Sequence, residues 1–289
     1  MLRLGAVSAW LAVAVGAWFA DLILPALRPE AGAARTTVTV MLWLAYGLVL
    51  AALLVPGARA ATVVRIAMPA GAVELWMSAA WSSDSLDPTA LIGLVGSLLG
   101  TGLVLLPLYA EAHVDAASYG DERRFLLRPP GPVMIALVVP MWAVSVAGLA
   151  VGPLLLADRG WTAGIAAAAV GLPIAAFAAH TLFRLTRRWL VFVPNGLVVH
   201  DHLAVTEPLP LSRRGVDSIG PARADTAAAD LTAQAFGMAL EVRLNAPVKA
   251  RVVMGRRRSE ERSLAALLVS PSRPAAVLAT AERRGLILG

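Results

Sequence analysis

Between Leu4 and Phe183 the chain carries six apolar stretches: Leu4–Leu27, Thr37–Val55, Val63–Trp81, Thr89–Ala110, Pro132–Leu156 and Trp161–Phe183. Each is close to the roughly 20 residues a helix needs to cross ~30 Å of hydrocarbon. At Arg184–Trp189, read R-L-T-R-R-W, the pattern stops, and about one hundred residues of alternating, charge-bearing sequence follow. A basic cluster directly after an apolar helix marks the cytoplasmic border of a membrane span. The expected architecture is a membrane all-α bundle of about six transmembrane helices over residues 1–185. A small soluble domain rich in β-structure follows over residues 186–289.

Composition agrees with the membrane half and excludes several chemistries. Hydrophobic residues make up 58% of the chain and charged residues 15%, where soluble domains run near a quarter charged. The absence of cysteine removes disulfides, thiolate catalysis, Cys-ligated zinc and Cys-held iron–sulfur clusters together. The net charge of +6 is built almost wholly from arginine, with Lys249 the single lysine. Abundant Ala and Arg with almost no Lys points to a GC-rich bacterial genome, and so to a bacterial plasma membrane. The basic residues border apolar stretches instead of forming one stripe, which argues against nucleic acid as a partner.

Arginine placement sets the expected orientation. Arg3 lies at the N-terminus, Arg59 and Arg65 in or near the second connection, and Arg123, Arg124 and Arg128 in the fourth. Arg184, Arg187 and Arg188 lie at the C-terminal border. The opposite side holds an acidic turn with Asp84 and Asp87 and the short Ala157–Gly160 turn, with Arg28 and Arg35 as dissenters. The balance puts both termini in the cytoplasm. The third stretch, with Arg65, Pro69, Gly71 and Glu74, is the weakest; were it re-entrant, five crossings would move one terminus to the other side. Two small-residue faces, Gly96–Gly100 and Gly148–Gly152, suit close helix packing within the bundle.

Two carboxyls fall inside the apolar half. A charge at the bilayer centre costs about 2.5–3.5 kcal/mol on the gentler insertion scale, so such a residue needs a reason. At ~1.5 Å per residue Glu74 lies about 17–20 Å from the inner border, and Asp21 reaches a similar depth. Together they could form an outward-facing polar pocket for a cation, a proton or a lipid headgroup. Equally, a protonated Glu74 could be satisfied by a neighbouring hydroxyl or carbonyl while Asp21 reaches the headgroups.

From Trp189 the periodicity becomes two-residue alternation. Strands are expected at Leu190–Val193, Leu197–His200, Val205–Leu211, Val216–Ile219, Ala239–Leu244, Lys249–Met254 and Ser263–Val269. Pro194-Asn195-Gly196 forms a hairpin turn between the first two. An alanine-rich loop occupies 221–234, and a helix over Arg273–Arg284 closes the chain at Gly285. The preceding Asp121–Arg128 mixes charge with the apolar trio Phe125-Leu126-Leu127 and reads as an interfacial helix or an ordinary cytoplasmic loop. His200 and His202 share a strand face but lack a fixed carboxylate partner, so no metal is expected.

The run W-L-V-F-V-P-N-G-L-V-V-H-D, followed by V-T-E-P-L-P-L-S-R-R-G-V-D-S-I-G, resembles the bacterial pleckstrin-homology (PH) domains of membrane proteins over Trp189–Gly285. The resemblance implies a small PH-like barrel with a C-terminal helix, an interaction or lipid-proximal role and no catalytic residues. No catalytic constellation, nucleotide loop or cofactor site is legible, so an enzyme is not expected. The expected function is a non-catalytic scaffold whose cytosolic module holds a protein partner or anionic lipid at the inner leaflet, with a role in envelope assembly. Its contacts would be Arg256, Arg257 and Arg258 in a hairpin loop and Arg213 and Arg214 at a strand end. Tethering alone holds these loops near the bilayer, which favours a protein partner as the use of the module. The rival is a transporter or lipid-handling protein that uses Asp21 and Glu74.

Overall fold

The computed structural model of the chain describes residues 2–19, 32–81, 88–131, 134–254 and 258–289. It divides into two compact units: Met1–His113 with Pro140–Phe183, and Val114–Val139 with Arg184–Gly289. The second unit, which holds the expected soluble domain, is therefore assembled from two separate segments of chain.

The first unit is helical. Its elements are α1 (Leu2–Phe19), α2 (Gly32–Leu54), α3 (Ala58–Trp81), α4 (Pro88–Leu105), α5 (Pro107–Asp115), α6 (Val139–Ala157) and α7 (Trp161–Leu185); in the chain, α5 and α7 run into segments of the second unit and α6 runs out of one. Among the described residues four stretches are long and apolar enough to cross a membrane: Ala58–Ala80, Pro88–Leu105, Ala136–Ala157 and Trp161–Leu185. Leu2–Ala14 and Thr39–Leu54 are shorter apolar stretches. The third stretch, the weakest in sequence, is thus one continuous helix with Pro69 inside it.

Two helix boundaries differ from expectation, each next to a proline. The stretch expected to run from Thr89 to Ala110 ends at Leu105, and α5 restarts at Pro107. Proline has no N–H to continue the ladder and its ring clashes with the carbonyl four residues back. Before α6, Met134–Val138 forms a π-turn leading to Pro140.

Both small-residue faces are used inside the chain. A Cβ on Gly96 would lie 2.9 Å from the Ala12 Cβ, and one on Gly152 would lie 2.7 Å from the Ala168 Cα. Glycine at these positions lets α4 approach α1 and α6 approach α7 at backbone distance, as small-residue faces do in lipid. The core of this unit joins Trp10, Leu53, Met68, Leu75, Leu94 and Tyr109. Trp10 and Tyr46 stack at 5.2 Å, and each donates a hydrogen bond to the other's backbone carbonyl.

The second unit holds two four-stranded sheets. The first contains β1 (Arg123–Leu126), β2 (Trp189–Val193), β3 (Gly196–His200) and β4 (Leu209–Ser212) in that order, with every neighbouring pair antiparallel. The second has the order β5 (Val216–Pro221), β7 (Leu240–Val253), β8 (Ser259–Val269), β6 (Ala229–Asp230). A C-terminal helix, α8 (Pro274–Arg283), follows. One core serves both sheets and the helix, running from Phe125 and Phe192 through Leu211 and Ile219 to Val269 and Val277.

The expected strands differ from these in three ways. Asp121–Arg128 is neither an interfacial helix nor a plain loop, because Arg123–Leu126 pairs with the edge of β2 in the register Arg124↔Val191 and Leu126↔Trp189. Ala239–Leu244 and Lys249–Met254 are one long strand, β7, with a register shift between Arg243 and Val248. The strand expected from Val205 begins only at Leu209, and Val205 itself makes an isolated bridge to Val252.

Candidate functional site

Of the proposed intramembrane pair, Asp21 lies outside the described residues. Glu74 is half-buried on α3, and its Oε1 accepts a hydrogen bond of 3.3 Å from the Ser78 hydroxyl one turn on. Ser78 is itself buried, at 4% exposure. A hydroxyl in the same helix thus meets one of the carboxyl oxygens, which is the structural reading of this residue.

Two of the basic residues counted for orientation, Arg3 and Arg65, are bound to helix ends. Arg65 donates from Nε to the Val104 carbonyl at 2.8 Å and from Nη2 to Leu106 at 2.8 Å. Arg3 donates from Nη2 to Leu54 at 2.6 Å. The last carbonyls of a helix lack intrahelical partners and carry the negative end of the macrodipole, so a guanidinium there meets both needs. Arg65 thus caps the carbonyl end of α4, where the helix breaks ahead of Pro107. One turn beyond that break, Tyr109 packs its ring 4.6 Å from that of His113. His113 is fully buried, and burial, followed by the charges of Arg3 and Arg65, holds its imidazole down at about 4.

The most demanding electrostatic feature lies in the soluble unit. Arg188 is 1% exposed and Asp201 also 1%, and the guanidinium grips the carboxylate with two bonds of 2.7 Å, from Nε to Oδ1 and from Nη2 to Oδ2. Nη1 donates to the Arg128 carbonyl at 2.6 Å, and Nη2 also reaches the Thr232 carbonyl at 3.5 Å. Asp201 Oδ1 in turn accepts from the Leu203 amide at 3.0 Å, fixing the turn after β3. Isolated buried charges are prohibitive, and only such bidentate, fully hydrogen-bonded geometry compensates the desolvation. This corrects the expectation for Arg188: it is an internal brace, while Arg184 and Arg187 remain on the surface.

Around the brace, Trp189 stacks on His200 at 5.3 Å, and the Arg124 guanidinium lies 5.3 Å from the Trp189 ring. Burial, with a further contribution from Arg187, lowers the His200 pKa. Burial, then Arg184, lowers that of His202. Among the described residues no group of three or more His, Asp or Glu is placed to hold a metal.

The other expected contact residues are dispersed. Arg213 and Arg214 form a short 3-10 turn whose preceding residue, Ser212, accepts from the Gly215 amide at 3.1 Å. Arg213 donates to the Gly285 carbonyl at 3.4 Å, bracing the end of α8. Arg258 is exposed, and its carbonyl accepts from the Met254 amide at 2.8 Å to close the hairpin. Arg256 and Arg257 lie outside the described residues. A groove of about 690 Å³ runs beside β8 and β6. Two arginines of its lining are paired with acids of the same lining, Arg223 with Asp225 and Arg243 with Glu241, so it offers no excess charge of either sign. No family model, curated protein or solved structure matches this chain.

Proposed function

We propose that the chain is a six-span, non-catalytic protein of a bacterial plasma membrane with both termini in the cytoplasm. Its soluble unit is read as a PH-like barrel that holds a protein partner at the inner leaflet. The carrying observation is that β1 comes from the connection between α5 and α6 and pairs with β2, which follows α7. A unit built from two segments, each continuous with apolar helices, is tethered at three points. Such a unit suits the positioning of something else at the surface better than diffusive capture. The PH-like reading rests on two sheets sharing one core, on the bridges Leu127↔Pro271 and Val205↔Val252 between them, and on the closing C-terminal helix.

In-cell crosslinking of the full-length protein followed by mass spectrometry tests the reading. The expected result is a protein crosslinked through the soluble unit, with reduced capture when Arg256, Arg257 and Arg258 are all changed to alanine. A protein recovered alone, or equal capture by the triple variant, counts against it. Anionic lipid as the ligand of those arginines is the other outcome; each basic residue near such a surface contributes about 1 kcal/mol, and vesicle binding reads it directly. The transporter reading keeps one observation in its favour, a half-buried carboxyl on a proline-containing apolar helix. It requires that Glu74→Gln abolish function at unchanged abundance, and a fully active variant removes it.

A further inference from the structure

The soluble unit carries an unusual loop between Asp230 and the start of β7. Ala233 and Gln234 both have positive φ, 53° and 61°, and Gly237 follows at 98°. Consecutive left-handed non-glycine residues persist only where the surroundings over-determine the backbone. Here the determinants are identifiable. The Asp230 carboxylate accepts from the Thr232 amide at 2.7 Å, and the Thr232 carbonyl faces the Arg188 guanidinium at 3.5 Å. The Gly131 amide donates to Gln234 O at 3.2 Å. Arg128 Nη1 donates to the carbonyls of Phe236 and Met238 at 3.2 and 3.3 Å. The Phe236 ring lies so close over Gly131 that a Cβ there would sit within 2.6 Å of the ring.

The loop held in this way displays apolar side chains. Phe236 is 68% exposed and Met238 55%. A backbone held in an unfavourable conformation while it displays a phenylalanine and a methionine side by side suits contact with an apolar medium. The contacts that fix it belong to two of the three places where the soluble unit joins the helices. Gly131 is five residues before Ala136, the first residue of the 22-residue apolar stretch that runs through the π-turn and α6. At ~3.3–3.6 Å per extended residue that is at most about 18 Å of chain. Arg188 is three residues after Leu185, the end of α7, or at most about 10 Å.

We infer that the Thr232–Met238 loop is a bilayer anchor, with Phe236 and Met238 seated among lipid at the boundary of headgroups and acyl chains. Phenylalanine is among the apolar side chains with which interfacial segments seat themselves at the headgroup–acyl boundary, and a thioether fills irregular apolar space. Backbone carbonyls entering a poorly hydrated zone need internal partners, and Arg128 supplies one donor to both carbonyls of the displayed residues. The loop thereby fixes how the soluble unit faces the membrane, which tethers alone leave free. The inference rests on reading α6 and α7 as membrane spans, and the test separates the two.

Because the chain lacks cysteine, single variants can be labelled at one site in the full-length protein. Phe236→Cys, Met238→Cys and, as the span control, Leu149→Cys, at a position 53% exposed on α6, would each carry an environment-sensitive fluorophore in proteoliposomes. Spin-labelled phospholipid and aqueous iodide are the quenchers. The expected result is a blue-shifted emission at Phe236 and Met238, with loss of most intensity to spin-labelled lipid and little to iodide. Two probes guard against a local disturbance by one substitution at the Gly131 contact. Quenching by iodide but not lipid at both loop positions, with Leu149 quenched by lipid, overturns the anchor and leaves the spans intact. Shielding from both quenchers identifies a protein contact and also overturns it. Failure of lipid to quench Leu149 overturns the span reading itself.

Discussion

At the scale of single residues, the Arg188–Asp201 pair organises the soluble unit. Its two bonds of 2.7 Å join the start of β2 to the turn after β3, and the remaining donors reach the end of β1 and the loop after β6. Removing one partner strands the other charge in the core, which costs about 3–5 kcal/mol in comparable buried pairs. Asp201→Ala is therefore expected to destabilise the soluble unit by that order. The companion Arg188→Met/Asp201→Leu variant should recover much of the loss, because no charge is then left unpaired. Hydrogen exchange of β2 and β3 amides in the full-length protein reads both; equal protection in Asp201→Ala and the parent would refute the brace. The sequence showed Arg188 only as one of three arginines after an apolar helix. Charge counting cannot separate a border arginine from a core arginine, because the difference lies in a carboxylate 13 residues on and in carbonyls 60 and 44 residues away. Glu74 was legible as an anomaly, and its Ser78 partner was in view at i+4.

Among the elements, local signals were reliable wherever the partner lay nearby in sequence. The hairpin Trp189–His200 follows from alternation around Pro194-Asn195-Gly196, where the φ of 152° and the Leu211 carbonyl leave no room for a side chain on Gly196. The closing helix, expected over Arg273–Arg284 with its stop at Gly285, runs Pro274–Arg283. β1 was missed because Phe125-Leu126-Leu127 does not alternate: all three side chains are buried. Its partner strand lies more than sixty residues later, so only tertiary pairing reveals it. This strand makes residues 186–289 an incomplete folding unit. Without it β2 offers an open edge, and Phe192 loses the edge-on Phe125 ring at 5.7 Å. A fragment of residues 184–289 should aggregate or dimerise through that edge. The same fragment preceded by residues 114–131 on a flexible Gly/Ser linker should be monomeric. Sedimentation of the two distinguishes them, and a monomeric, folded short fragment would contradict the role given to β1.

The molecule as a whole is constrained by parity, independently of arginine counting. Arg3 near the start of α1 holds the last carbonyls of α2, and Arg65 in the second turn of α3 holds those of α4. Each pair therefore brings its chain back to the level at which it began. The soluble unit draws on segments before α6 and after α7, so those two helices must also cross together or not at all. Under the six-span reading the returns put the N-terminus, the α5–α6 connection and the C-terminus on one side. A re-entrant third stretch would break that agreement. Cysteine placement in the cysteine-free chain decides it with an impermeant maleimide on right-side-out and inverted membrane vesicles. Leu2→Cys, Gly120→Cys and Leu288→Cys should react only in inverted vesicles. Ser85→Cys and Arg159→Cys, in the connections after α3 and α6, should react only in right-side-out ones. Leu2→Cys and Leu288→Cys reacting from opposite faces would refute the even count. Gly120→Cys and Leu288→Cys reacting from opposite faces would refute a single unit stitched from both sides of the α6–α7 hairpin.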